Sequence, residues 1–496
     1  MKSLFKPGVV FIILVNLMAS ACQPLQKSGI VLIESTGTPT PIVPLSKFTE
    51  RPQYQPGQIV NYIAQTGDTL PSLAAHFNTT EREIRTQNPV IPLDATTLPA
   101  GFPMKIPIYY LPLWGDPYQI LPDSFFVDGP NQIGFSSKDF VNAQPGWFKN
   151  YSDNAAGEIE VGGDLVDHIA RNFSISPRLL LALIEYQTGA LTRPDMPKLE
   201  DDPYPLGYTK DPVYKGLYQQ LVWSANVLNN GYYGWRAGAL PIIEHKDKTI
   251  ERPDPWQNAA SVGLHYYFSQ IYLHDEYNKA ISELGFIQTY KRLFGDPWAN
   301  VNNHIPGSLR QPPFQFPFEP GKVWAYTGGP HAGWGNGEPF AAIDFAPPSE
   351  LTGCAPSQEW VTAVADGIVT RSDNYRINLD LDGDGVEQTG WVVFYLHLSG
   401  VGMPPVGTRL KAGDRIGHPS CEGGEATGTH VHIARKYNGE WILAGGAVPL
   451  KLEIWTVQNG SEVYQGTMVS NSGVITACVC SDKSSQIFSS LPVPKP

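Results

Sequence analysis

Basic residues are the scarce class in this chain: 35 Lys and Arg stand against 47 Asp and Glu, a formal charge of -12 over 496 residues. A phosphate backbone needs a basic face, so this balance argues against a nucleic-acid partner. Long apolar runs are scarcer still. One lies near the N-terminus, too brief to cross a bilayer, and no second run is long enough to span, so the remainder is expected to be soluble outside the cytoplasmic membrane. Cysteine is sparse, at five. Four follow Cys22, namely Cys354, Cys421, Cys478 and Cys480, and an even number in an exported chain points to disulfides, with Cys354 to Cys421 as one candidate pairing. Hydrophobic content of 42% and aromatic content of 11% are globular values, and the length calls for about three domains.

The N-terminus reads as an export signal. Lys2 and Lys6 precede the apolar residues 9–18, and Ala19, Ser20 and Ala21 lead into Cys22. A plain signal peptide cut near Ala21 would leave Cys22 incidental. The pattern also resembles a lipoprotein signal, in which Cys22 becomes the lipid-bearing first residue and anchors the protein on the outer face of the cytoplasmic membrane. Ala19 stands where such signals more often carry Leu. From residue 36 to 58, Pro, Thr and Gly are dense enough to keep the chain extended as a spacer.

Residues 58–110 alternate in a first strand, break at Thr66-Gly67-Asp68-Thr69-Leu70, and continue as two short helices before a second strand. Asp68 or Thr69 can cap the first helix, and Thr80 with Glu83 stands at capping-box distance for the second. The run YIAQTGDTLPSLAAHFNTTEREIRTQNP followed by LPAGFPMKIP resembles the LysM module. That resemblance implies a βααβ fold that binds N-acetylglucosamine-containing glycans such as peptidoglycan. Its groove would involve the loop of Gly67, Asp68, Thr69 and Leu70 and the loop after Asn88.

Residues 123–303 turn to helical periodicity, with apolar steps of three and four at Val166, Ile169 and Phe173 and again through residues 179–184. The segment SPRLLLALIEYQTGAL is similar to the catalytic helix of lysozyme-like lytic transglycosylases. Those enzymes need a carboxylic acid to protonate the departing glycosidic oxygen. Gln187 stands at that position and cannot deliver a proton, and Glu185, two residues away, is rotated by about 200° around the helix. A degenerate, inactive glycan-binding or spacer domain is expected.

Residues 318–485 change to short alternating strands punctuated by Gly and Pro, an antiparallel β domain. In GTHVHIAR, His430 and His432 share one strand face. In WVVFYLHLS, alternation places His397 with Trp391, Val393 and Tyr395. His331 lies in a Gly-rich stretch, and Asp344 sits in the apolar context AAIDFAPP, where a buried carboxylate calls for a cation. Singly, each has an ordinary structural explanation.

Together, a His, then Asp within AIDF, then YLHLS, then THVHI resembles the ordered pattern of lysostaphin-type (LytM-like) zinc endopeptidases. The resemblance implies His331, Asp344 and His432 as zinc ligands, with the fourth position open for water, and His397 and His430 as catalytic histidines. It implies the peptide stems or cross-bridges of peptidoglycan as substrate. His331 and Asp344 are further apart than in many members. His418, in IGHPSCEGG, reads as structural.

Asp380, Asp382 and Asp384 followed by Gly385 match the opening of a calcium loop, but Trp391 replaces the closing Glu, so a full EF-hand is excluded. Ca2+ is a candidate ligand there, with a simple acidic turn as the alternative. The expected architecture is a multidomain α+β chain: signal 1–21, linker 22–57, LysM 58–110, helical region 123–303, zinc peptidase 318–485 and tail 486–496. A non-catalytic wall-binding scaffold or activator of another hydrolase is the rival reading.

Overall fold

The computed structural model describes residues 54–198, 201–349, 351–480 and 482–491. The signal, Cys22 and nearly all of the linker fall outside these residues. Among those described, no helix is long and apolar enough to cross a membrane.

The first module pairs β1 (Gln58–Ile63) antiparallel with β2 (Pro103–Ile108), with α1 (Leu70–His76) and α2 (Glu81–Gln87) between them. Both helices start at capping boxes, Thr69 with Ser72 and Thr80 with Glu83, so Thr69 rather than Asp68 is the cap. Leu73, Phe77, Ile84 and Ile106 fill the small core.

The middle region is mostly helical: α3 (Ser137–Asn142), α4 (Gly163–Phe173), α5 (Pro177–Thr188), α6 (Leu217–Arg236), α7 (Ala259–Ile271), α8 (His274–Ile281) and α9 (Phe286–Phe294). Two small hairpins, β3–β4 (Ser152–Ala155, Glu158–Val161) and β5–β6 (Ile243–Glu244, Ile250–Glu251), interrupt them. Glu185 of α5 is consumed by structure. It accepts bonds from the Leu191 amide (2.8 Å) and the Thr192 hydroxyl (2.7 Å) and pairs with Arg292. Gln187 accepts a 2.7 Å bond from the Tyr272 hydroxyl.

The C-terminal region is an antiparallel β domain, as its alternation predicts. Its main sheet runs β13 (Arg409–Leu410), β10 (Gly367–Asp373), β11 (Arg376–Asp380), β12 (Trp391–Leu396), β15 (Val431–Tyr437), β8 (Ala342–Ala346), β7 (Val323–His331) and β21 (Gln486–Phe488), with β16 (Glu440–Trp441) on β15. β9 (Val361–Thr362) pairs with β14 (Arg415–Gly417), and β17 (Lys451–Leu452), β18 (Trp455–Asn459), β19 (Gly466–Ser470) and β20 (Gly473–Thr476) form a second meander. β21 closes the sheet against β7, so pairing continues into residues 486–488, which the sequence suggested as tail. Cys354–Cys421 and Cys478–Cys480 are disulfides.

The apolar run of β12 has a physical reason. Val393 and Tyr395 face the β domain's own core, while Phe394 and Leu396, with Ala434 and Trp441, join the core of the helical region. Both faces of the central strands are therefore covered. A buried ion group pins the three modules together: Arg236 of α6 binds Asp123, Glu440 of β16 and the Thr66 carbonyl of the first module. His304 adds a 2.6 Å contact to Glu440.

Candidate metal centre

Register builds the site. Asp344 of β8 lies directly opposite His432 of β15, and cross-strand partners place their side chains on one face. β7 runs on the other side of β8, and His331 is its last residue. Gly328, opposite Asp344, leaves room for the carboxylate: a Cβ there would lie 2.4 Å from Asp344 Oδ2. The long stretch between His331 and Asp344 folds out onto the helical region and returns, so the two ligand candidates meet despite their separation.

Three atoms converge. His331 Nε2 is 3.0 Å from His432 Nδ1 and 3.3 Å from Asp344 Oδ1, and His432 Nδ1 is 3.4 Å from Asp344 Oδ1. Backbone carbonyls select the tautomers. His331 Nδ1 is 2.9 Å from the Gly329 carbonyl and His432 Nε2 is 3.3 Å from that of Gly333, so protons placed there leave lone pairs on the converging nitrogens. Asp344 Oδ1 is buried with no hydrogen-bond donor of its own. Three acceptors at the corners of a triangle suit a cation between them. Tetrahedral coordination at about 2.0–2.1 Å would separate such donors by about 3.4 Å. The residues fit a zinc ion.

The electrostatics agree. Burial opposes charge on Asp344, yet His331, His432 and His430 hold its carboxyl well below the usual range. Burial pulls His331 down, but Asp344 outweighs it and the net shift is upward. Burial leaves His432 lowered. The pocket thus attracts positive charge, and a proton on one nitrogen cannot serve three acceptors as a divalent ion would.

The two remaining histidines flank this triangle. His430 Nε2 lies 3.8 Å from Asp344 Oδ1, and its Nδ1 meets the Gly428 carbonyl at 2.7 Å. His397 reaches it differently from the alternation rule. β12 stops at Leu396, and His397 adopts a left-handed φ of 63°, which swings the ring out of the Tyr395 face to 4.4 Å from the His430 ring. A bulky residue held there is strained, a cost typical of functional positions. Its Nδ1 meets the Glu422 carbonyl at 2.8 Å, and burial, then His430 and His432, lower its pKa to about 3. His418 bonds the Glu359 carbonyl and packs on Trp360, a structural role as expected.

Tyr464, from the loop between β18 and β19, had no signal in the sequence. Its ring stacks on His331 at 4.3 Å, fixed by the Gly329 amide donating to its carbonyl. The triangle opens into a cleft of ≈ 2120 Å³ walled on one side by the β domain and on the other by His168, Phe173 and Tyr218 of the helical region.

Two other candidate sites stand differently. Asp380, Asp382 and Asp384 do group together. However, their oxygens accept from the turn's own donors, including the Gly385 amide (2.8 Å), the Val386 amide (2.8 Å) and the Thr389 hydroxyl (2.8 Å). The acidic turn accounts for itself, and calcium gains no support. In the first module, the loop of Gly67, Asp68, Thr69 and Leu70 faces inward. Asp68 and Leu70 are buried, Thr69 caps α1, and the Arg236 guanidinium sits against Gly67. Thr66 and Thr97 are bonded to residues 305–309. These contacts tie this side of the module to its neighbours.

Comparisons with known proteins follow the same division. Residues 62–107 match the LysM domain, and residues 119–307 match the family described as LasA, N-terminal domain. Protease LasA of Pseudomonas aeruginosa (strain UCBPP-PA14) is 25% identical over 341 residues, covering 64% of this chain and 76% of that protein. The beta-lytic metalloendopeptidase of Achromobacter lyticus is 30% identical over 142 residues, 27% of this chain and 35% of that protein. These matches support a LytM-like metalloendopeptidase that carries a LysM module. The helical region, likened above to transglycosylases, is the part that matches the LasA N-terminal domain. Among solved structures, the M23 metalloprotease pseudoalterin aligns over 34% of this chain and 96% of its own, at 23% identity and TM-score 0.29. The catalytic domain of lysostaphin from Staphylococcus simulans aligns over 24% and 86%, at 27% and 0.17.

Proposed function

We propose that the protein is a zinc-dependent endopeptidase that hydrolyses peptide bonds in the stems or cross-bridges of peptidoglycan, held at the membrane by a lipid on Cys22. The observation that carries the catalytic part is the meeting of three lone-pair acceptors, on His331, Asp344 and His432, beside two further histidines in an open cleft. The names of the LasA and beta-lytic relatives support proteolysis, and the LysM match supports a cell-wall setting. Lys2, Lys6, the apolar residues 9–18 and Ala19-Ser20-Ala21-Cys22 support export and anchoring.

His331, Asp344 and His432 would hold the ion, which when bound supplies Lewis-acid polarisation of a carbonyl and an acidified water. The chain's own groups do the rest. His397, kept neutral by burial, offers Nε2 as a proton acceptor because its Nδ1 proton is committed to the Glu422 carbonyl. His430, 3.8 Å from the Asp344 carboxylate, is placed to steady negative charge on a carbonyl oxygen or to pass a proton to a departing amine. Tyr464 packs His331 in place and lines the cleft.

The test is digestion of purified cell walls with fragment analysis by mass spectrometry, with and without chelator. New amine termini at one peptide bond, lost with chelator and in His432→Ala, are expected. Intact walls from a zinc-loaded parent would refute the enzyme and favour the scaffold reading.

A further inference from the structure

Residues 332–341 separate two of the ligand candidates, and glycine-rich surface segments of this length ordinarily wander. This one is held. The Asn336 amide donates to Asn226 Oδ1 at 2.9 Å, and the Glu338 amide donates to Asn230 Oδ1 at 2.7 Å. Asn226 and Asn230 are four residues apart on α6, so they project from one face of a 20-residue helix buried in the helical core. Gly335 and Gly337 complete the fit. Both have left-handed φ, 75° and 86°, and a Cβ on either would fall 2.2 or 2.3 Å from the same two oxygens. The backbone therefore rests directly on the asparagine side chains.

This segment ends its path at the metal centre. The Gly333 amide donates to the Pro339 carbonyl, closing the segment on itself, and the Gly333 carbonyl faces His432 Nε2 at 3.3 Å. That contact holds the ring's proton on Nε2 and turns Nδ1 toward His331 and Asp344. Trp334 adds a second brace, its ring 6.0 Å from Phe394 of β12.

We infer that Asn226 and Asn230 are positioning residues for the metal centre, acting through residues 333–339 on the orientation of His432. The inference rests on the metallopeptidase reading above. Helix α6 thereby braces, from the helical side, a segment that the β domain holds from the other through the Ala444 amide bonding the Phe340 carbonyl.

The experiment uses the full chain with Asn226→Ala, Asn230→Ala, the double variant and Asn226→Asp, which keeps the acceptor oxygen. Hydrogen exchange at the 336 and 338 amides, zinc affinity by chelator competition, and kcat and KM on a soluble stem peptide are read for each. The expected result is at least tenfold faster exchange at both amides in the double variant, with zinc held about tenfold more weakly. The kcat should fall with KM unchanged, and Asn226→Asp should recover the loss at its own site. Faster exchange with parental zinc affinity and kcat overturns the inference. A parent that binds no zinc refutes the metallopeptidase reading instead. The 15N shifts of the His432 ring then decide the inference, and a double variant that keeps the parental Nε2-protonated ring overturns it.

Discussion

Gly328→Ala is a minimal change that should disable the metal centre without replacing a ligand candidate. Gly328 stands opposite Asp344 in the β7–β8 register, and its φ lies outside the left-handed region, so alanine meets no backbone penalty. The added methyl would lie 2.4 Å from Asp344 Oδ2, 2.9 Å from Cγ and 3.1 Å from Cβ, all well inside contact distance. Asp344 is buried in β8 and cannot retreat along its strand, so its carboxylate must rotate. Rotation by about 1 Å takes Oδ1 out of its 3.3 and 3.4 Å spacing to His331 and His432. Overpacking of this kind costs about 1–3 kcal/mol of stability. Catalytic groups misplaced by about 1 Å lose on the order of 100-fold in rate. Zinc affinity by chelator competition, wall digestion and the urea midpoint separate these effects. A folded Gly328→Ala protein should hold zinc at least about tenfold more weakly and digest walls on the order of 100-fold more slowly. Zinc affinity and digestion within twofold of the parent would show that Asp344 does not need this vacancy.

Three further outcomes are expected. Burial alone would raise Glu440, but Arg236 and His304 hold it at about 2, so its pairing stabilises the fold above about pH 4.5 and is lost as pH falls toward 2. That loss is on the order of 3 kcal/mol, and urea midpoints between pH 5 and 2.5 should fall more steeply for the parent than for Glu440→Gln; parallel curves would contradict it. Cys22→Ala should move the protein from the membrane fraction to the soluble one, and unchanged membrane retention would refute the lipid anchor. Tyr464→Phe keeps the ring on His331 while removing its hydroxyl, so zinc affinity should stay parental; a large loss would mean the hydroxyl, not the stacking, steadies His331.

Much of the protein was legible before any coordinates. Cap residues at Asp68 or Thr69 and a capping-box spacing to Glu83 marked two helix starts because short-range hydrogen bonds are local facts, and the structure chose Thr69. Strand alternation put His430 and His432 on one face, and the apolar surroundings of Asp344 announced a carboxylate in need of a partner. What the sequence could not supply were relations between distant segments. Alternation assigned His397 to the wrong face, because only the left-handed turn after β12 brings its ring to the site. Nothing local reveals that Arg236 packs against Gly67, or that residues 305–309 bond Thr66 and Thr97. Tyr464 lies in a polar turn with no motif, and Asn226 and Asn230 look like ordinary helix residues until the ligand loop rests on them. Sequence determined which chemistry the chain carries, since ligand types and local periodicities are properties of short segments. Tertiary structure decided which of those groups meet and what holds them, since that depends on long-range packing among modules far apart in the chain.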